Sequence, residues 1–259
     1  MNPLTYLFPD ELDEALTSPT ATAILPIGSV EQHGPHLLLG CDGYIAHAVA
    51  AMAATQMDAV LFPMIPFSWI GGLRPFAGTI DLRPYLTMDY MEQTALTILE
   101  MGFSQLILVN AHGGGREAVF AVARSLHKQT GKRIISSYPS NIYDCTPEIA
   151  ENWRAHGITA PNDWAAYETS ELMGALAYFK REDLAGAVAA NNTAALAEFG
   201  EIRVDIDPPS FRCASRLGEV GHDYTHECLH VQPRRAVSQD AGAETLRLMA
   251  EKIVQSARL

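Results

Sequence analysis

The strongest constraint on how this chain folds is a rhythm: short apolar runs alternate with longer helix-like stretches through residues 1–140. QLILVN at 105–110 is the clearest run, too short for a buried helix and rich in branched side chains. TAILPIG at 22–28, AVLFPMI at 59–65 and KRIISSY at 132–138 share its character, and Pro63 predicts an edge or a bulge for the second of these. Between them lie helical patterns at 10–16, 43–57, 87–102 and 116–128, the third with Thr87 or Asp89 as its cap. Two further helices are expected at 163–180 and 239–257, with an irregular polar stretch over 191–235. Strands that alternate with helices build βαβ units. The expected fold class is therefore α/β: a three-layer α/β/α arrangement with a mostly parallel sheet. No linker or repeat divides it, so residues 1–259 read as a single domain.

In such sheets, ligands bind beyond the carboxyl ends of the strands. Two loops rich in metal-binding side chains sit there. GSVEQHGPHLLLGCD, residues 28–42, carries Glu31, His33, His36 and Asp42. Glu31 and His33 are two apart, so an extended loop projects both to one side. VNAHGGGREA, residues 109–118, places His112 at a strand end before three glycines. Carboxylates mixed with imidazoles suit zinc, manganese or iron better than calcium. An aspartate has two oxygens and can bridge two cations about 3.5–4 Å apart. Gly113 and its neighbours could offer backbone N–H groups to an oxyanion. A phosphate loop is the rival reading, but no Gly-Lys-Ser/Thr follows.

NDWAAYETSELM, residues 162–173, supplies a third segment. Glu168 and Glu171 are one helical step apart and by default form a solvated face. Asp163 by default caps the helix, and His36 by default either supports a metal ligand from behind or is structural. Trp69, Arg74, Phe76 and Trp164 are candidates to line a pocket, with core packing the plain alternative for the aromatics. Arg74 stands beside Gly and Pro in a loop, where it could grip an anionic group. His222, His226 and His230 recur every four residues near Cys228. On a helix they could hold a separate zinc, although a polar surface or a subunit contact is the preferred reading.

Charge narrows the functional classes. The formal net charge is −12 and no Lys/Arg block is present, so neither nucleic acid nor an anionic membrane is an expected partner. No apolar run reaches 18 residues, so no membrane span is expected. The four cysteines form no CxxC pair, and the first residues are acidic rather than basic. A reduced, cytoplasmic protein is the expectation.

LPIGSVEQHGPHLLLGCD resembles the signature of the creatininase (creatinine amidohydrolase) family, including the Glu-x-His pair and the Asp nine residues beyond the His. NAHGGG is similar to that family's Asn-Gly-His segment, PFAGTI at 75–80 to its Phe-Pro-Gly-Thr loop, and YETS at 167–170 to its Glu-Thr-Ser segment. VSQDAGAETL at 237–246 resembles a stretch near the family's end. The resemblance implies a binuclear metal centre, frequently a hexamer, and hydrolysis of cyclic amides, formamides or peptide-like bonds in small molecules. It implies that Glu31 and His112 hold one cation, His33 the other, and Asp42 both. Two positions depart from the pattern. Creatininase itself carries a metal-binding Glu where this chain has Gly114, and Glu168 is the best substitute. Relatives carry a His where this chain has Asp163, which argues against creatinine as substrate.

The expected activity is therefore metal-dependent hydrolysis of a C–N amide bond other than a peptide bond in a small molecule. Two divalent cations per chain (Zn, Mn or Fe) would activate a water. Gly113 and Gly114, with Trp69, Arg74 and Trp164, would contact substrate, and Asp163 or Glu168 would move the proton to the leaving nitrogen. One alternative opens a cyclic ketone or lactone at the same site. Another is a metal-binding protein whose activity has drifted away, with no open coordination position.

Overall fold

The computed structural model describes residues 2–70, 73–74, 76–138, 146–159, 164–200 and 233–258. Among these, a five-stranded, wholly parallel sheet forms from β1 (Asn2–Pro3), β2 (Thr22–Ile27), β3 (Val60–Leu61), β4 (Gln105–Asn110) and β5 (Arg133–Ser137), in the order β1-β3-β2-β4-β5. The helices are α1 (Pro9–Leu16), α2 (Cys41–Met57), α3 (Pro84–Glu100), α4 (Arg116–Thr130), α5 (Pro147–Ala155), α6 (Trp164–Tyr178), α7 (Glu182–Phe199) and α8 (Gln239–Arg258). The central strands β2 and β4 are buried at every position, as continuous apolar runs in a sheet covered on both faces must be. One core layer joins α2, α5, α6 and α8 to one face of the sheet through residues such as Ile24, Ile107 and Trp153. The other packs α3 and α4 on the opposite face through Leu25, Leu108, Phe103 and Leu126. The expected three-layer α/β/α architecture is present.

Several expected boundaries move, each for a local reason. The run at 59–65 yields only Val60–Leu61 plus a single bridge from Ile65 to Ile27, because Pro63 has no N–H to continue the ladder. The helix expected at 87 starts at Pro84, whose fixed φ suits the first turn, and Thr87 is buried inside it rather than capping it. The polar stretch expected from 191 is helical up to 199. Asn192 turns its side chain outward from α7 to bond the backbone N–H and C=O of Arg234, at 3.0 and 2.8 Å. Helix α5 was not expected; Thr146 caps it and Pro147 opens it. His222, His226, His230 and Asp163 lie outside the described residues.

Helices α6 and α8 meet backbone to backbone. A Cβ on Gly242 would collide with the carbonyl of Ser170, and one on Gly174 with the backbone of Ala243. This contact holds the helix that carries Glu168. Gly242→Ala should therefore destabilise the fold by about 2 kcal/mol or more, as overpacking does, which lowers Tm by about 4–8 °C for a chain of this size. Calorimetry of the variant is the check, and an unchanged Tm would refute the close packing.

Candidate metal centre

The register of the two central strands assembles the site. Ile27 of β2 pairs with Asn110 of β4, so both chains leave the sheet at the same level. Ala111 N–H then donates to the Ile27 carbonyl at 3.2 Å, which keeps the exits together for one residue more. Beyond it, Asn110 bonds the backbone of His112 from both sides, accepting from its N–H at 3.2 Å and donating to its carbonyl at 2.9 Å. On the other loop, Gly28 lies against Gly43: a Cβ on Gly28 would stand 2.5 Å from the Gly43 Cα. No bulkier residue lets the first turn of α2 approach the β2 exit so closely. Asp42 sits in that turn and thereby faces Glu31. Glu31 N–H to Leu39 O and Ile80 N–H to Val30 O, both 2.9 Å, brace the loop from within and from the 76–80 segment.

Glu31, His33, Asp42 and His112 are all buried, and they converge. His33 Nε2 is 3.1 Å from Asp42 Oδ1, while His112 Nδ1 is 3.0 Å from both Asp42 Oδ2 and Glu31 Oε1. Ligand atoms of Glu31, His33 and Asp42 all lie within 4.8 Å of one another. Asp42 therefore turns one oxygen to each imidazole.

The other ring nitrogens decide what this arrangement needs. His33 Nδ1 is 3.1 Å from the Glu31 carbonyl, and His112 Nε2 is 2.9 Å from the Trp69 carbonyl. A carbonyl only accepts, so each of these nitrogens carries the proton. The inward nitrogens then present lone pairs to carboxylate oxygens, which also only accept. Lone pairs facing lone pairs in a buried site require positive charge between them, as protons or as cations. The donor set suits a transition metal, and carbonyl-anchored imidazoles are the usual outer support of such sites. Ser29, wholly buried, donates to Asp42 Oδ2 at 2.6 Å and lies 3.2 Å from Glu31 Oε1, steadying both carboxylates.

Protonation follows the same logic when no cation is bound. Burial alone would lower the His33 pKa, but the charge and hydrogen bond of Asp42, with Glu168 and Glu31 beyond it, raise it to about 10. Burial likewise opposes protonation of His112, and Glu31 and Asp42 push it well above its ordinary value. Asp42 is raised by burial and then carried well below its ordinary range by the two imidazoles. Glu168 on α6 is half-buried. Burial first, then the charges of Asp42 and Glu31 acting against the pull of His33 and His112, raise its pKa to about 7. Its carboxyl therefore belongs to the electrostatics of this cluster and not to a solvated face. Glu171, also expected on a solvated face, is buried at 3% exposure.

His36 is buried, with its Nε2 3.0 Å from the Thr169 hydroxyl. Burial, then the charges of Arg234 and His33, hold its pKa down to about 4. Gly113 and Gly114 form an exposed turn above His112, but the N–H of Gly115 reaches the His112 carbonyl at 3.3 Å, so the three glycines are not equivalent oxyanion donors as expected. Trp69 contributes first through its carbonyl, and the residue is 40% exposed. Arg74 is exposed in the loop that follows. Trp164 opens α6, with its side chain outside the described residues. Sequence reasoning missed Ser29, Asn110 and Thr169. Ser29 stood in the quoted motif as a hydroxyl two residues before Glu31, which was the available signal.

A family model described as creatinine amidohydrolase (Creatininase) matches residues 7–256. The chain belongs to the creatininase family. Among curated relatives, the "Mycofactocin precursor peptide peptidase" of Mycobacterium ulcerans (strain Agy99) is 35% identical over 129 residues, covering 44% of this chain and 49% of that protein. The "3-dehydro-scyllo-inosose hydrolase" of Thermotoga maritima is 29% identical over 110 residues, covering 40% of this chain and 33% of that protein. The "Creatinine amidohydrolase" of Pseudomonas putida is 24% identical over 107 residues, covering 39% and 41%. In each case the match spans about half or less of the relative. Solved structures share the fold across the whole chain. A mutant creatininase of "Zn-Zn type" has a TM-score of 0.72 at 18% identity, covering 99% of this chain and 96% of that one, and "Creatininase Mn" has 0.70 at 18%, covering 99% and 97%. Among the described residues no helix is long and apolar enough to cross a membrane.

Cations must displace the protons held on His33 and His112. At pH 7 the cation-free protein should therefore release about two protons as it loads Mn2+. Calorimetry in buffers of different ionisation enthalpy measures this number. Heats independent of buffer would contradict the cluster's protonation.

Proposed function

We propose that this protein hydrolyses a C–N amide bond in a small molecule, at a centre of two divalent cations. The supporting observation is the pair of inward-facing imidazoles that share Asp42 between them. Glu31, His112 and Asp42 Oδ2 form one donor set; His33, Asp42 Oδ1 and Glu168 form the other. Cations held there would supply water activation and carbonyl polarisation. The chain's own residues do the rest. Ser29 keeps the two carboxylates aimed inward, and the Glu31 and Trp69 carbonyls fix both imidazole tautomers. The exposed turn at Gly113 and Gly114 offers a substrate an approach to His112, beside the Tyr138 hydroxyl and the Trp69 carbonyl. Arg74 and Trp164 are further substrate contacts in this reading. Asp163, where relatives carry His, delivers the proton to the leaving nitrogen. A cytoplasmic homo-oligomer, hexameric in form, completes the proposal.

A second reading has the bond in a cyclic ketone or lactone, and the Thermotoga relative's name favours it. The relatives named as peptidases favour a peptide C–N bond. Mn2+-loaded protein assayed against a formamide and a cyclic amide, a lactone and a cyclic ketone, and a short peptide separates the three. We expect turnover of the amides, reduced by at least about a hundredfold in Asp42→Ala. Turnover confined to another class would replace the proposal. Absence of turnover with metal retained would leave a metal-binding role alone.

Metal analysis gives an independent test. About two cations per chain should fall toward none in Asp42→Ala, because that carboxylate serves both sets. Unchanged stoichiometry would remove Asp42 from the centre.

A further inference from the structure

The Glu-Thr-Ser triplet at 168–170 points three consecutive side chains in three directions, about 100° apart around α6. Glu168 joins the electrostatics of the metal cluster. Ser170 accepts from the backbone N–H of Ser238, just ahead of α8, at 3.0 Å. Thr169 meets His36 of the metal-binding loop at 3.0 Å. Its hydroxyl proton is already committed to the Ala165 carbonyl at 2.7 Å, so His36 Nε2 must donate and Thr169 must accept. Both residues are buried, at 1% and 0% exposure. The bond spans 133 positions of sequence, and it ties the loop carrying Glu31 and His33 directly to the residue next to Glu168.

We propose that the His36–Thr169 hydrogen bond is the positioning strut of the second cation site: it sets the reach of Glu168 toward His33 and Asp42, and so sets affinity at that site. The proposal rests on Glu168 as a ligand to the cation on His33. Neither His36 nor Thr169 belongs to either donor set; both act through Glu168. The first site, built from Glu31, His112 and Asp42 Oδ2, takes nothing from α6, and its part of the metal-binding loop is held separately by the Glu31–Leu39 and Ile80–Val30 backbone bonds. Loss of the strut therefore acts on one site and spares the other.

The test is Mn2+ titration of chelator-stripped protein, with free Mn2+ and the exchange-coupled signal of a filled pair both read by electron paramagnetic resonance. Wild type should take up two equivalents. Thr169→Val is isosteric and removes the acceptor; it should keep the first equivalent and weaken the second by about tenfold or more, the usual effect of losing an outer support. His36→Phe should do the same by removing the donor, and the double variant should be no worse than either single one. Thr169→Ser and His36→Gln, which retain acceptor and donor, should restore the second affinity and the coupled signal. Second-equivalent binding unchanged in Thr169→Val, or both equivalents weakened alike, would overturn the strut. If Thr169→Val does not fold, the contrast between His36→Gln and His36→Phe decides. Glu168→Gln separates the two levels of argument. If it keeps the second equivalent, the ligand assignment fails and the strut falls with it. If it loses the second equivalent while Thr169→Val does not, only the strut falls.

Discussion

The centre depends on two hydrogen bonds that point away from it. His33 and His112 each give their outer N–H to a main-chain carbonyl, of Glu31 and of Trp69. Those bonds fix both ring orientations before any ligand arrives. With the outer nitrogens committed, each inner one faces a buried carboxylate that can only accept, so that position holds either a proton or a cation. The cluster is thus preorganised for positive charge, and the rotamer and tautomer costs of forming it are met by folding.

Those two carbonyls are only as fixed as the backbone around them. The Glu31 carbonyl belongs to a loop held at both ends, by Leu39 within and by Ile80 from outside. The Trp69 carbonyl sits between a bridge from Ser68 to Asp81 and a 2.8 Å bond from the Ile70 N–H to the Asp81 carboxylate. Beneath both lies the β2–β4 register, which delivers residues 28 and 111 to one edge of the sheet. Parallel pairing of this kind needs helices on both faces, and the packing of α6 on α8 on one of those faces brings Glu168 within range.

Much of this was legible in the sequence, for identifiable reasons. The strands β2 and β4 announced themselves because burial on both faces leaves continuous apolar runs. Glu31, His33, Asp42 and His112 stood out because metal-binding side chains clustered at two expected strand ends. What stayed hidden had no sequence period to betray it. A carbonyl such as that of Trp69 is carried by every residue, so its role follows only from where the chain passes. The residues from 191 on read as an irregular polar stretch, whereas the fold keeps them helical to 199 and uses Asn192 to clamp Arg234. Glu171 and Glu168 read as a solvated face because helical spacing cannot reveal that the neighbouring face is a cluster of charges rather than water.

Gly114 has a consequence for how this lineage can vary. A Cβ there would sit 2.8 Å from His112 Nε2 and 3.3 Å from the Trp69 carbonyl, the two atoms of the outer bond itself. A carboxylate side chain introduced at 114 would therefore displace the anchor of one ligand in order to supply another. The arrangement with an acid at that position and the arrangement found here are thus separate solutions, and passage between them requires the 68–70 turn to move in the same step. Such linked changes are rarely sampled one mutation at a time, so position 114 resists any side chain for as long as the Trp69 carbonyl anchors His112.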